Sequence, residues 1–468
     1  MDKKLGLASL TALIISSMIG AGIFSLPQNM AAVASPAAII IAWLITGVGM
    51  ISLALSLQYL SITNPHINTG IFGYAKHGFG RLTGFCSAWA YWVSATFTNI
   101  SYLVIICATL GLLFDTSDLV IFGVGNNAVS IIVASIFLWM IHIFISNGIQ
   151  TAAFINLLAT FAKLLSLFIF IILALLAFHW DTFMFDFHGA HFGKEYDLFS
   201  QVKATMLITV WVFIGIEGAV VLSNRARHRK HIGFSTILAL LTTILIYVLV
   251  TLTSMGVIQS VELAKYPNPS TAKILTSIMG PLGQYIIGIG LIISVCSSFL
   301  SWLIYATEVP YSCAKDKLFP ETYRRVNANG TPIRSLIFTT IAIQVSLIFV
   351  MCLDGTYDSL YRIASEMILV PYLLVGIYTL KFAIKQENLF GIVLGFLSTS
   401  FGIWLLYASG LQFFIMSAVL YLPGLYFFIK SQREQNIHLF KGKERIIVGL
   451  LLIAALIGLK EILNGTVL

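Results

Sequence analysis

Two stretches decide the fold: Met18-Ile19-Gly20-Ala21-Gly22-Ile23-Phe24 and Trp211-Val212-Phe213-Ile214-Gly215-Ile216-Glu217-Gly218. Each places two glycines in the middle of an apolar segment long enough to cross a bilayer. An intact helix is normally required there, because hydrocarbon offers no hydrogen-bond partner to exposed backbone groups. A pair of such interruptions in the two halves of a membrane protein is typical of the binding site of a transporter. The two stretches therefore predict a carrier for a small polar solute.

The composition places the chain in a membrane. Of its 468 residues, 58% are hydrophobic and only 10% are charged, and the mean hydropathy is +0.94. Apolar stretches of about 20 residues, the length that crosses ~30 Å of hydrocarbon, recur along the whole chain. The first follows only Met1-Asp2-Lys3-Lys4 and has no small-residue cleavage site, so no cleavable signal peptide is expected. The five cysteines form no CxxC pair, which argues against a disulfide framework or a metal site.

We predict an all-α integral membrane protein with 12 or 13 transmembrane helices of about 20 residues or more. The predicted spans are residues 5–27, 37–60, 81–114, 128–146, 150–178, 200–223, 232–256, 281–313, 333–353, 360–382, 388–408, 411–430 and 446–463. The third and eighth are longer than a bilayer requires, so they should tilt or project beyond it. The last ends in Lys460-Glu461, and whether it spans the membrane stays open. A transporter core is expected over residues 1–430, with a C-terminal segment over 431–468.

The positions of the basic residues predict the orientation. With the N-terminus in the cytoplasm, 20 of the 27 Lys and Arg residues fall in inner segments and five in outer ones, while Lys163 and Lys460 lie within spans. An excess of positive charge on the inner side is the rule for membrane proteins. We therefore expect a multi-pass protein of the cell membrane with a cytoplasmic N-terminus. Contact of this basic face with anionic lipid accounts for the net charge of +8 without a nucleic-acid partner.

Four ionisable residues are predicted to lie inside the membrane, where each costs several kcal/mol unless it pairs or lines a cavity. They are Lys163, Glu217, Glu308 and Glu366. Glu217 lies within the second interruption, where its carboxylate either binds a cationic group of the solute or holds unwound backbone amides. Lys163 lies about twelve residues into the fifth span, near mid-membrane at ~1.5 Å per residue. Its ammonium either takes the place of a sodium ion, shuttles a proton or forms a permanent polar contact.

The other two carboxylates each allow more than one interpretation. Glu308 precedes Pro310 near the inner end of the eighth span, where gating, helix packing and substrate contact are all compatible with the sequence. Glu366 is either a second anionic pole for a dibasic substrate or the partner of nearby Arg362. Four aromatic residues also lie within predicted spans: Tyr91, Trp211, Trp302 and Tyr372. Such residues ordinarily serve packing, but in a site for cations they also form cation–π walls and gates.

The two interruptions resemble the first-helix and sixth-helix motifs of the amino acid–polyamine–organocation superfamily. The matching segments are residues 18–30, residues 213–218 and, for the loop after the eighth helix, residues 314–320. Order and spacing agree over residues 5–430. The sequence of residues 20–30, together with Ser301-Trp302 and Thr307-Glu308, is most similar to that of the basic amino acid antiporter branch. That branch includes arginine/ornithine antiporters and lysine permeases.

The resemblance implies a fold of two inverted five-helix repeats (LeuT-like), over residues 5–178 and 200–382, with helices 1 and 6 broken and two further helices over residues 388–430. It implies a secondary active transporter of cationic amino acids that is not an enzyme and needs no cofactor. Exchange of arginine for ornithine, or lysine, by alternating access is the leading function. Proton-coupled uptake of lysine or arginine is the alternative, and a transporter-like nutrient sensor is a third. Membrane lipids are expected neighbours, and a homodimer stays open.

The resemblance also implies the members of the site. Predicted substrate contacts are Ile19, Gly20, Ala21, Gly22, Ile23, Asn99, Trp211, Ile214, Glu217, Trp302 and Ser365. Predicted gates are Tyr91, Glu217 and Tyr372, the coupling residue is Lys163, and further candidates are Glu308 and Glu366. The amides after the first glycine would bind the substrate carboxylate, and Asn99 would contact the cationic end. Ala21 and Ala364 stand where agmatine exchangers carry serine, which argues against agmatine as the substrate.

Overall fold

A computed structural model describes residues 6–67, 69–193, 195–218, 227, 229–440 and 442–463, and this part of the chain is helical without a β-strand. The helices of the first half are α1 Leu7–Met18, α2 Gly22–Ala31, α3 Pro36–Thr63, α4 Ile71–Phe79, α5 Arg81–Phe114, α6 Ala128–Ser146 and α7 Ile149–Leu176. A short helix, Trp180–Met184, lies in the connection that follows. The all-α prediction is confirmed.

The second half begins with a helix that stops early. Its helices are α8 Leu198–Phe213, α9 Arg229–Val257, α10 Ser270–Met279, α11 Leu282–Lys315, α12 Ile333–Cys352 and α13 Tyr357–Lys385, with the short helix Ser260–Leu263 before α10. The chain continues with α14 Leu389–Ser409, α15 Leu411–Ser417, α16 Leu422–Glu434 and α17 Lys443–Leu463. Residues 219–223, the end of the predicted sixth span, lie outside the described residues.

Helix lengths recur between the two halves. Helices α3 to α7 have 28, 9, 34, 19 and 28 residues, in that order. Helices α9 to α13 have 29, 10, 34, 20 and 29 residues. In both sets a short helix and a single glycine with positive φ, Gly80 or Gly280, precede the longest helix. The two halves are thus built to the same plan.

Ten helices in the described part of the chain are long and apolar enough to cross a membrane, counting Leu7–Ala31 as one. The predicted third and eighth spans are α5 and α11, and at 34 residues each they are longer than a bilayer requires, as expected. The predicted span over residues 411–430 is divided instead. The 3-10 turn Ala418–Tyr421 separates α15 from α16, and Pro423 follows it at once. The indole N–H of Trp89 donates to the Leu420 carbonyl in this turn, at 2.8 Å.

The two interruptions lie in the centre of the bundle. Helix α1 packs against α7, α9 and α11, while α8 packs against α3, α13 and α14. Helix α5 packs along both α11 and α13 and closes the other side. Because each of these helices is apolar on nearly every face, the polar groups of the interruptions have only one another and a few buried side chains as partners. This arrangement positions the site.

Candidate functional site

The two interruptions adjoin each other although about two hundred residues separate them. Gly20 N–H donates back to Met18 O at 2.9 Å, so the backbone turns out of helix α1 there. Gly215 has φ +112°, a conformation that glycine adopts readily and other residues do not. The Ser17 hydroxyl lies 2.8 Å from Ile14 O and 3.1 Å from Gly215 O, and because it donates to one of them at a time, it can join the two turns. The predicted break of the first helix, and the start of the predicted break of the sixth, are both present in the structure.

Tyr247 of α9 binds both interruptions at once. Its hydroxyl oxygen lies 2.6 Å from Met18 O and 2.7 Å from Val212 O. The hydroxyl carries one proton, so it donates to one of these carbonyls at a time. Tyr247 thus stabilises carbonyls that two ending helices leave without an intrahelical donor.

Lys163 of α7 reaches the first interruption with a fully buried side chain. Its Nζ donates to Ile19 O at 2.7 Å, to the Ser298 hydroxyl at 2.9 Å, and lies 3.1 Å from the hydroxyl and 3.3 Å from the carbonyl of Ser16. A buried ammonium without a paired carboxylate is tolerated only when oxygen atoms surround it in this way. The Lys163 side chain therefore ties the end of α1 to α7 and α11.

The Ile19 carbonyl is crowded by donors. Besides Lys163, the hydroxyls of Ser298 and Ser294 on α11 lie 3.1 Å and 3.3 Å from Ile19 O. A carbonyl oxygen has two lone pairs, and here they are already in use. The Ile214 carbonyl at the second interruption accepts no hydrogen bond from the residues that the structure describes. Ile214 O thus offers a free acceptor among the described residues, whereas Ile19 O does not.

Glu217 is fully buried beside the second interruption. Its Oε2 accepts hydrogen bonds from the Tyr372 hydroxyl at 2.7 Å and from Gly215 N–H at 3.2 Å. The Tyr91 hydroxyl faces the same carboxylate without forming a hydrogen bond of ordinary geometry. Within the described residues Oε1 has no partner. The three predicted gate residues, Tyr91, Glu217 and Tyr372, are thus gathered in one place.

Trp211 and Trp302 lie in two separate aromatic groups. The Trp211 ring stacks on Tyr361, with centroids 5.6 Å apart, and its indole N–H donates to the Tyr357 hydroxyl at 3.2 Å. The Trp302 ring lies 6.3 Å from Tyr91, and its indole N–H donates to Ser17 O at 2.9 Å. All five side chains are at least nine-tenths buried, so the site is shielded from water in this conformation.

Asn99 and Ser365 lie on the helices that close the site, α5 and α13. The amide nitrogen of Asn99 donates to Ala95 O at 2.8 Å, whereas its fully buried Oδ1 has no partner among the described residues. The Ser365 hydroxyl donates within its own helix to Tyr361 O at 2.8 Å. Asn99 thus offers a free acceptor in the core, and Ser365 does not offer a free donor in this conformation.

The amides of Ala21, Gly22 and Ile23 lie at the N-terminal end of α2, where all three residues are buried. The first amides of a helix have no intrahelical acceptor, and the helix dipole adds partial positive charge there. Such an end binds anions, including carboxylates. The geometry agrees with the predicted carboxylate subsite.

Glu308 and Glu366 occupy different places. Glu308 is buried on α11, six residues beyond Trp302. Glu366 of α13 faces α14, where its Oε1 accepts from the Ser409 hydroxyl at 3.3 Å. The described contacts of Glu366 thus lead away from the two interruptions. No group of three or more His, Cys, Asp or Glu in the described part of the chain is placed to hold a metal ion.

Several residues of the site were not predicted from the sequence. They are Tyr102, Tyr247, Ser294, Ser298, Tyr357 and Tyr361. Helical spacing held a signal for some of them. Tyr102 follows Asn99 by three residues, so both project from one face of α5. No sequence pattern singled out Tyr247. Its role follows only from the path of the broken backbone, which shows the carbonyls that need a donor.

A bundle of apolar helices around two adjoining interruptions, with a buried cation, a buried carboxylate and a free helix N-terminus, defines a secondary membrane transporter. Comparison of sequences specifies the family. The amino acid permease family matches residues 5–442. The chain belongs to this family, within the amino acid–polyamine–organocation superfamily.

Named relatives are similar over nearly the full chain. A protein of Escherichia coli (strain K12), provisionally named an arginine/ornithine antiporter, is 49% identical over 97% of this chain and 98% of its own length. The arginine/ornithine antiporter of Pseudomonas aeruginosa is 41% identical over 99% of this chain and 98% of its own. The arginine/agmatine antiporter of Chlamydia caviae is 37% identical over 95% and 94%, respectively.

Proposed function

We propose that this protein exchanges arginine for ornithine across the membrane by alternating access. The observation that carries the proposal is the site itself, in which free amides, buried acceptors and aromatic rings converge on two adjoining helix breaks. Relatives at 49% and 41% identity are named arginine/ornithine antiporters, which supports the same substrates here. Proton-coupled uptake is the weaker alternative, and these names do not favour it.

The substrate lies between the two interruptions. Its carboxylate accepts hydrogen bonds from the amides of residues 21–23, and its α-ammonium donates to Ile214 O. Its cationic end lies between Trp302 and Trp211 and donates to Asn99 Oδ1, which has no partner among the described residues. A cation over an indole face gains about 2 kcal/mol or more when both are shielded from water.

Unpaired buried acceptors explain why the carrier exchanges substrates. With no substrate bound, the closed conformation leaves Asn99 Oδ1 and Ile214 O without donors from the described residues. Each such group costs about 1–3 kcal/mol. A bound cationic amino acid supplies the donors, so the loaded carrier passes through the closed conformation more readily than the empty one. Exchange of two cations also moves no net charge.

The contacts of Lys163 favour a fixed cation over a proton carrier. Four oxygen atoms lie within 3.3 Å of its Nζ, which has only three protons to donate. Loss of the proton would leave several carbonyl and hydroxyl groups at the first interruption without their donor. We propose that the ammonium holds the broken helix open for the substrate.

We further propose that the two sets of matching helix lengths are two inverted repeats of one transporter core, with the N-terminus in the cytoplasm of the cell. Helices α3–α7 and α9–α13 would be equivalent by this proposal, as would the interruptions that precede them. Movement of one repeat against the other around a fixed site would open it to each side in turn.

Labelled arginine uptake into proteoliposomes tests the function. Vesicles preloaded with ornithine should take up arginine, whereas empty vesicles should take up little, with or without a pH gradient. Uptake into empty vesicles that requires an inward proton gradient would overturn exchange in favour of proton coupling. Binding of arginine without transport under any of these conditions would indicate a sensor instead.

A further inference from the structure

Tyr102 of α5 lies against the first interruption. Its ring is buried at 3% exposure and lies 6.0 Å from the ring of Trp211. A Cβ atom built on Gly20 would lie only 2.1 Å from the Tyr102 hydroxyl oxygen. The hydroxyl therefore occupies the space that any side chain at Gly20 would fill, directly beside the amides at which α2 begins.

The hydroxyl of Tyr102 is not needed for packing. Within the described residues it donates no hydrogen bond. The indole N–H of Trp302, which lies nearby, donates to Ser17 O at 2.9 Å. A phenylalanine would pack against Trp211 equally well. The hydroxyl can accept from that indole, but its own proton has no acceptor among the described residues, so a ligand that supplies one would gain a hydrogen bond.

The surroundings of this hydroxyl define the ligand. Beside it are the amides of Ala21, Gly22 and Ile23, and all of these groups are hydrogen-bond donors. A cluster of donors at a helix N-terminus takes an anionic group. In an exchanger of cationic amino acids, the carboxylate is the anionic group of the substrate, and decarboxylation removes it.

We propose that the Tyr102 hydroxyl donates a hydrogen bond to the substrate carboxylate, and so makes the carrier select cationic amino acids over the amines left by their decarboxylation. This inference rests on the proposed function. The contrary interpretation is that Tyr102 only packs against Trp211, in which case removal of the hydroxyl would affect all substrates alike.

The variant Tyr102→Phe tests the inference, because it removes the hydroxyl and keeps the ring. KM for arginine, measured in ornithine-loaded proteoliposomes, should rise about 10- to 100-fold, the loss that accompanies a hydrogen bond to a charged group. The inhibition constants of agmatine and arginine methyl ester, which lack the free carboxylate, should change little. The preference for arginine over agmatine should therefore fall by the same factor.

Tyr378→Phe is the matched control, because Tyr378 is buried on α13 and its ring stacks on Tyr74 away from the two interruptions. It should keep the wild-type preference. An unchanged preference in Tyr102→Phe would overturn the inference, as would an equal rise in the constants of all three compounds. Failure of the wild-type protein to exchange arginine for ornithine would instead overturn the proposed function. The two failures are thus distinct.

Discussion

Glu217 links the second interruption to α13 by hydrogen bonds. One of its carboxylate oxygens holds both the Tyr372 hydroxyl and the Gly215 amide, at 2.7 Å and 3.2 Å. The charge of the carboxylate strengthens both hydrogen bonds, because charge-assisted bonds are about twice as strong as neutral ones. We propose that these residues form a gate and that its opening breaks or exchanges these bonds. The carboxylate therefore acts on the rate of the conformational change more than on substrate affinity.

Replacement Glu217→Gln should lower the maximal exchange rate about tenfold and change KM for arginine by less than threefold, since one charged hydrogen bond of about 1.5–3 kcal/mol is weakened. Exchange rates in proteoliposomes over a range of arginine concentrations would show this. Tyr372→Phe should reproduce the effect, and the double variant should add little to either single change. A large rise in KM with an unchanged maximal rate would place Glu217 in direct substrate contact instead.

Sequence reasoning found the residues whose presence in a membrane is costly and missed those whose type is common there. Glu217 and Lys163 were singled out because a charge in a span needs an explanation. Tyr247 and Ser298 were missed because hydroxyl-bearing residues are frequent in apolar helices. Their roles depend on which carbonyls a broken helix leaves free, at Met18, Val212 and Ile19. That follows only from the path of the backbone.

At the scale of elements, the loop between α5 and α6 is organised by one carboxylate. Asp115 accepts from the amides of Ile121 and Phe122 at 3.0 Å and 3.1 Å through Oδ1, and from Gly123 at 2.7 Å through Oδ2. Partial desolvation raises the pKa of the Asp115 carboxyl, but the three amide donors together outweigh it and hold that pKa below its usual range. The ionised carboxylate thus stabilises the folded loop.

A depressed pKa in the folded state gives stability that is present above the unfolded-state pKa, about 3.9, and is lost as pH falls through the lower folded-state value. Asp115→Asn should therefore lower the Tm of the purified protein at pH 7, and the difference from wild type should shrink below about pH 4. Thermal unfolding in detergent as a function of pH would measure both. Asp118→Asn, in the same loop, should leave Tm unchanged. A difference that persists at low pH would exclude the carboxylate as its cause.

Most long helices were predicted to within a few residues, because a span of apolar residues has only one stable conformation in lipid. The short helices α4 and α10 were not predicted, since each has about ten residues and no apolar run of membrane length. The division of the predicted span over residues 411–430 was also missed. Its signal was Pro423, which removes a backbone donor two residues after the 3-10 turn ends at Tyr421.

At the scale of the whole molecule, the orientation of the N-terminus is open to a direct test. Cys352 ends α12 and is exposed, whereas Cys107 and Cys313 are buried. With the N-terminus in the cytoplasm, the end of α12 faces outward. A membrane-impermeant maleimide should therefore label intact cells, and Cys352→Ser should abolish the label. Labelling that appears only after the membrane is permeabilised would reverse the orientation.

The closed conformation depends on single residues, on the helices and on the fold as a whole. Two sets of helices with matching lengths meet at two interruptions, and Lys163, Tyr247 and Ser17 form hydrogen bonds with carbonyl groups of these interruptions. Asn99 Oδ1 and Ile214 O have no donor among the described residues, and we propose that the substrate supplies one. The architecture thereby makes the substrate a part of the closed core, and this is why the carrier should return loaded.

The measurement that tests this account most directly is the stoichiometry of exchange. Proteoliposomes loaded with labelled ornithine are supplied with differently labelled arginine, and the two fluxes are counted together under imposed membrane potentials of either sign. The account predicts one ornithine out for each arginine in, at a rate that the potential does not change, and almost no ornithine efflux without external arginine. Ornithine efflux that continues without external arginine, or arginine uptake that follows the potential, would contradict it.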